Sequence, residues 1–161
     1  MFLDKSDYSN WGLSVCVPGC NAAKSGPGGL QLNQWQHLAG TYDGQEIVIY
    51  RNGQEIASVP FSGNVADVNF VLLGIWGTSF DGLIDEVRIW NIARTQAEIQ
   101  ADMNRILNGD EPGLVGYWRF EEGRGQTVTD HSSRHNDGRL GSSPDEDSSD
   151  PVWTTPGAPV Q

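Results

Sequence analysis

The segment DGLIDEVRIW, residues 81–90, holds three carboxylates, Asp81, Asp85 and Glu86. Acids this close together invite a test for acid–base hydrolysis of a glycosidic bond. That chemistry needs two carboxyl groups about 5–5.5 Å apart for a retaining reaction, or roughly 6.5–9.5 Å for an inverting one. The β-branched and aromatic content of 81–90 predicts a strand, on which Asp85 and Glu86 point to opposite faces. Asp81 and Asp85 share a face but sit about 13 Å apart at ~3.3 Å per residue. The run does not make a catalytic pair. Its parity instead groups Asp85 with Leu83, Val87 and Ile89, and predicts a half-buried carboxylate bonded to backbone amides or to Arg88 or Arg94.

The remaining reactive side chains are poorly placed for catalysis. His131 and His135 are four apart, but the Ser/Asn/Asp/Gly content around them predicts a loop rather than a helix face, which disfavours zinc. Ser132 and Ser133 match no nucleophile motif. His37, between Trp35 and Leu38, reads as a packed framework residue. The turn Glu121-Glu122-Gly123-Arg124-Gly125 lacks phosphate-loop spacing. Cys16 and Cys20 are the chain's 2 cysteines and flank a Pro-Gly turn. They form either a loop-stapling disulfide or two inert thiols, and the spacing leaves both open, while a C-x3-C pair without further ligands makes a poor zinc site. The expectation is a chain that is not an enzyme.

Binding is the better use of these residue types. Aromatic faces stack on pyranose rings, and Tyr8, Trp11 and Trp76 are the candidates for a rim that contacts ligand. Trp35, Trp90, Trp118 and Trp153 fall in strand patterns and read as core or framework. A net charge of −11 argues against nucleic acid and anionic membrane surfaces, and leaves cations and neutral ligands. No apolar run is long enough for membrane insertion. The stretch after Met1 has no signal-peptide pattern.

The elements that must position these residues are mostly strands. With 20 glycines and 8 prolines the chain is built of short strands and turns. WGLSVCV is a strand, and GLQL at 29–32 a weak one. WQHLAGTY, QEIVIYR and QEIASVPF are three consecutive antiparallel strands, joined at Asp43-Gly44 and Asn52-Gly53, the dipeptides that best tolerate positive φ in a two-residue hairpin turn. NFVLLGIW reads as a strand buried on both faces. Thr95-Gln96-Ala97-Glu98 is a capping box opening a short helix that Asn108-Gly109 stops. LVGYWRF returns to strand, and short β pieces follow at QTVT, GRL and PVWTT. The segment SSPDEDSSDP has the composition of a mobile loop. The sum predicts an all-β, antiparallel jelly-roll β-sandwich with one short helix. The jelly roll spans 1–140, and 141–161 forms an acidic loop and C-terminal strand or tail.

The order of motifs WxHLAGTYDG, IxIYxNG, FxGLIDEVRIWN and a helix with EIQ resembles the laminin-G-like and pentraxin-like branch of the concanavalin A-like lectin/glucanase superfamily, from about Phe2 to Leu107. LVGYWRFEEGRGQTVTDHSSRHNDGRLG fits segments that follow the helix in such proteins. Strands that family domains carry ahead of FLDKSDYSNWGLSV are absent, which implies an N-terminally truncated chain taken from an array, or a permuted domain. An open sheet edge would then favour self-association. The E-x-D-x-x-E spacing of related hydrolases is missing.

The resemblance also implies calcium. One part of the family's site lies where Asp7 and Asn10 stand; the other, an acidic loop, is shortened to WGTSFD and keeps Asp81. Such loops supply the carboxylate and amide oxygens that Ca²⁺ takes, although the same residues also initiate turns. The expected function is a non-catalytic module for adhesion or glycan/protein recognition, in an extracellular or cell-surface protein longer than this chain. Its partner would be a glycan or a surface protein. The alternative is a structural spacer with no small ligand, and a glycoside hydrolase or lyase ranks last.

Overall fold

A computed structural model describes residues 11–16, 20–26, 29–31, 33–63, 65, 71, 73, 75–76, 78–79, 82–143, 145–148 and 150–160. The chain falls into two compact units: residues 1–82 with 93–104, and residues 83–92 with 105–161.

The first unit contains the three-stranded meander. β3 (Leu38–Tyr42), β4 (Glu46–Arg51) and β5 (Gln54–Pro60) pair antiparallel in that order. Asn52 and Gly53, at φ 49° and 73°, make the tight turn that their types predict. The Asp43-Gly44 connection is longer than a two-residue turn. Asp43 Oδ1 accepts the N–H groups of both Gln45 and Glu46 at 2.8 Å, and only Gly44 takes a positive φ. Those two amides hold the Asp43 carboxyl below its ordinary range.

A hairpin of β1 (Gly12–Cys16) and β2 (Cys20–Lys24) packs over this sheet. Trp11, Val15 and Ala23 from the hairpin meet Ile47 and Ile49 from β4, both fully buried. Gly40 is needed where the layers approach, because a Cβ there would sit 2.8 Å from the Leu13 Cδ2. The register sets Cys16 opposite Cys20, and Cys20 is disulfide-bonded. The staple reading is therefore the one the fold adopts.

β6 (Ile75–Trp76) and β7 (Thr78–Ser79) form a two-residue hairpin. The long buried strand expected over 69–76 is not present among the described residues; Val71 and Leu73 are exposed. Residues 29–31 are not a strand either. The helix α1 (Gln96–Asp102) starts at Thr95 with the complete capping box. It ends well before Asn108-Gly109. Leu107, which lies ahead of that stop signal, is buried against Leu114 and Tyr117 in the second unit. Gln100 Nε2 donates to the Gly53 carbonyl and seats α1 beside the β4–β5 turn.

The second unit is built on β8 (Val87–Trp90) and β9 (Leu114–Trp118), with β10 (Thr127–Val128) and β11 (Gly138–Arg139) as a smaller hairpin. PVWTT forms no strand. Among the described residues, bonds tying the segment after 140 to the rest of this unit include Gln126 Nε2 to Asp150 Oδ2, Trp153 Nε1 to the Gly125 carbonyl, Arg139 Nη2 to the Ser142 carbonyl and Ala158 N–H to Asp85 Oδ2.

Candidate functional site

Tyr8, Asp7, Asn10 and Asp81 lie outside the described residues, and of Trp76 only the backbone, in β6, is described. Trp11 corrects the expectation of a ligand-binding rim. It is 2% exposed and centres the core of the first unit. Its position immediately before β1 turns the indole toward the covered face of the sheet, and its backbone is fixed by exchanges with Ser25. Trp35, read as core or framework, is 37% exposed. Among the described residues no group of three or more His, Cys, Asp or Glu is arranged to hold a metal.

Asp85 and Glu86 take structural positions. Asp85 is half-buried and accepts the N–H of Glu86 at 2.9 Å and that of Ala158 at 2.6 Å, so the expected amide partners are found, without Arg88 or Arg94. The predicted strand parity fails here: Glu86 takes φ 52° and β8 begins only at Val87. That turn sends Glu86 inward. Its Oε2 accepts from the Tyr117 hydroxyl and from Arg88 Nη2, each at 2.7 Å, and Arg88 also donates to the Arg105 carbonyl. The carboxylate is neutralised by Arg88 and fixed in place, as an electrostatic clamp rather than a base.

Asp130 plays the same part in the DHSSRHNDG loop. It is 1% exposed and accepts the N–H groups of Tyr117, Ser132 and Asn136 and the hydroxyl of Ser132, all within 2.9 Å. Burial raises its pKa, but these four donors outweigh burial and hold the carboxyl below its ordinary value. Ser132 is thereby committed to structure. Asp130 belongs to no motif, and its only local signal is an Asp able to accept amides two and six positions ahead, at Ser132 and Asn136.

One concave feature of the second unit is a groove of about 360 Å³ between the turn leading into β10 and residues 146–153. Gln126, Glu146, Asp147, Asp150 and Trp153 line it, with Arg124 at the same wall. Its geometry follows from the 147–150 turn. Asp150 Oδ2 accepts from the Asp147 N–H and from Gln126 Nε2, while the Asp150 N–H returns to the Asp147 carbonyl. Gly141 allows the close approach of Asp150, since a Cβ there would collide with its carboxylate. An indole, an amide and several carboxylates around a space of this size fit a small hydroxylated ligand. From sequence, SSPDEDSSDP read as a mobile loop and Trp153 as framework; their convergence needs the fold.

The laminin G model of the concanavalin A-like lectin/glucanases superfamily matches residues 8–100. This chain belongs to that superfamily, and its antiparallel sheets with a single short helix among the described residues are the expected jelly-roll β-sandwich class. It is 37% identical to pappalysin-1 of Mus musculus over 91 residues, which is 51% of this chain and 6% of the relative. Against pappalysin-1 of Homo sapiens it is 36% identical over 78 residues, 44% of this chain and 5% of the relative. The chain thus corresponds to about a twentieth of those proteins. A solved structure from Bacteroides ovatus superposes with a TM-score of 0.62 at 27% identity, covering 78% of this chain and 39% of the other. That protein carries the provisional description of a carbohydrate binding protein. No helix among the described residues is long and apolar enough to cross a membrane.

Proposed function

We propose that this chain is a non-catalytic carbohydrate-recognition module of an extracellular or cell-surface protein. The observation that carries the reading is the groove lined by Trp153, Gln126, Asp147 and Asp150 in a chain of a lectin superfamily. Its volume of about 360 Å³ lies at the small end of ligand sites. The indole supplies an apolar surface for a pyranose ring, and the amide and carboxylates supply acceptors for hydroxyls. The buried clamps at Glu86 and Asp130 fix the strands and loop of the same unit, so the ligand meets a preformed site. The carbohydrate-binding description of the Bacteroides ovatus protein supports this reading, whereas pappalysin-1 is matched over too small a fraction to transfer its activity.

Calcium at Asp7, Asn10 and Asp81 belongs to the same proposal as an independent part. A melt in millimolar calcium and again in EDTA reads it, since binding to the folded form raises the midpoint by mass action. The groove is tested on a glycan array followed by titration of the hits into the intact chain and into Trp153→Ala. Recognition predicts saturable binding that the variant loses while its melting midpoint stays near that of the parent. An array with no hit would favour the structural-spacer reading.

A further inference from the structure

We infer that Trp35 and the loop around it form a second saccharide platform, one that takes neutral chains of equatorially substituted pyranoses. The inference takes its ligand class from the carbohydrate reading above and uses none of the groove's residues. Trp35 belongs to the first unit and the groove to the second.

The sequence supplies one observation. Residues 25–42 contain no Asp, Glu, Lys or Arg, in a chain that is 19% charged and carries a net charge of −11. The stretch is instead rich in amides, with Gln31, Asn33, Gln34 and Gln36 around one indole. A carboxamide both donates and accepts, as a sugar hydroxyl does, and carries no charge.

The structure supplies the other. Trp35 reads as framework, yet it is 37% exposed, and Asn33 and Gln34 beside it are exposed as well. The loop is held at both ends. Arg51 Nη1 donates to the Gly29 carbonyl at 2.8 Å, the His37 N–H donates to Asn52 Oδ1 at 2.9 Å, and the Asn52 N–H returns to the His37 carbonyl. Leu30 packs against the core of the unit. Between these anchors Gln36 braces the loop: its Oε1 accepts the Gln31 N–H at 3.0 Å, and its Nε2 donates to the Gln31 carbonyl at 2.6 Å. Asn33 makes the bend at φ 58°, a region that asparagine tolerates. Gln36 and backbone groups form the brace, so the amides of Asn33 and Gln34 are not used in it. A ligand meets an indole already in place, and little ordering entropy opposes binding.

An indole face suits the C–H face of a pyranose. Equatorial hydroxyls leave that face clear and extend sideways, toward amides beside the ring. β-1,4-linked glucose presents such a face on every residue. A uronate finds no cation within 25–42, Arg51 is engaged at the foot of the loop, and the net charge of −11 repels it.

The test is an NMR titration of the intact chain with cellohexaose, following the indole N–H signals of its 6 tryptophans, each assigned by a Trp→Phe variant. The Trp35 signal should move saturably. The Kd should be the same at about 0.02 and about 0.3 M salt, because no charge pair is present to be screened. Hexagalacturonate should leave the signal unmoved. Calorimetry in a Trp153→Ala background isolates the platform from the groove. There Trp35→Ala should weaken cellohexaose about ten-fold, the size of one aromatic contact. Trp35→Tyr, which keeps a stacking face, should recover most of the loss, and Gln34→Glu should weaken binding with the melting midpoint unchanged.

A Trp153 signal that moves while Trp35 stays still would overturn the platform and leave the groove standing. If neither moves, the platform falls, and the glycan array decides the carbohydrate reading separately. Unchanged affinity in a folded Trp35→Ala would show that any shift of the indole is indirect, and would also overturn the platform. Affinity that falls steeply with salt, or hexagalacturonate bound as tightly as cellohexaose, would overturn the neutral-sugar assignment.

Discussion

The Tyr117 hydroxyl donates to Glu86 Oε2 at 2.7 Å and receives the Leu107 N–H at 3.3 Å. One phenol therefore joins the middle of β9, the bend ahead of β8 and the segment after the helix. Arg88 completes the unit by lying 5.2 Å from the centre of the same ring. Tyr117→Phe removes the oxygen and leaves the Leu107 amide without its acceptor. The expected loss is about 1–3 kcal/mol, read from the shift of the denaturant midpoint at constant slope.

The same bond makes an alkaline prediction. Burial, then the hydrogen bond to Glu86, raises the Tyr117 pKa above its ordinary 10.0. The fold therefore favours the neutral phenol. The stability this contributes is present below the unfolded value of 10.0 and is lost as pH rises through the higher folded value. Absorbance titration should show an ionisation above 10.0 that disappears in Tyr117→Phe, and that variant should lack its share of the alkaline loss.

Asp130 makes the acid counterpart. Its folded pKa lies below the unfolded value of 3.8, so its contribution is complete above that pH and fades as pH falls through the folded value. Melts taken from pH 5 downward should drop in this window, and Asp130→Asn should flatten the drop. Asp130→Ala should cost about 3 kcal/mol or more at neutral pH, because it strands several buried donors at once. A melt unchanged by Asp130→Ala would contradict the loop's assigned anchor.

Two glycines test backbone approach. Gly53 has φ 73°, and a Cβ there would come within 2.7 Å of Gln100 Cγ. Gly109 has φ 96°, and its Cβ would collide with the His131 carbonyl. Alanine at Gly53 should cost about 1–2 kcal/mol, since Gln100 is flexible. At Gly109 the obstacle is backbone, and the loss should be larger. Parallel thermal melts decide the order.

The capping box makes the mildest prediction. Thr95 Oγ1 accepts the Glu98 N–H, and Glu98 accepts the Thr95 N–H at 2.8 Å. Thr95→Ala should lower stability by about 1 kcal/mol without altering the groove in the other unit. Circular dichroism with a denaturation series measures it.

What could be read directly from the residues was local. Asn52-Gly53 specifies its turn because both positions accept positive φ, and Thr95–Glu98 specifies a helix start because four consecutive residues carry the whole bond set. Asp85 was legible as an amide acceptor, though not the partner Ala158, which lies 73 positions away. Trp11 shows the limit of composition. An indole suits a sugar-binding rim and a core equally, and only the sheet of β3–β5 packed over it puts it inside. Glu86 shows the limit of periodicity: alternation predicts a strand through 81–90, yet a positive φ and the pull of Arg88 and Tyr117 bend the chain before β8. The groove lay beyond any local pattern. Gln126, Asp150 and Trp153 share a wall because Asp150 accepts from Gln126 and Trp153 donates to Gly125, and such long-range contacts exist only once the chain has closed on itself.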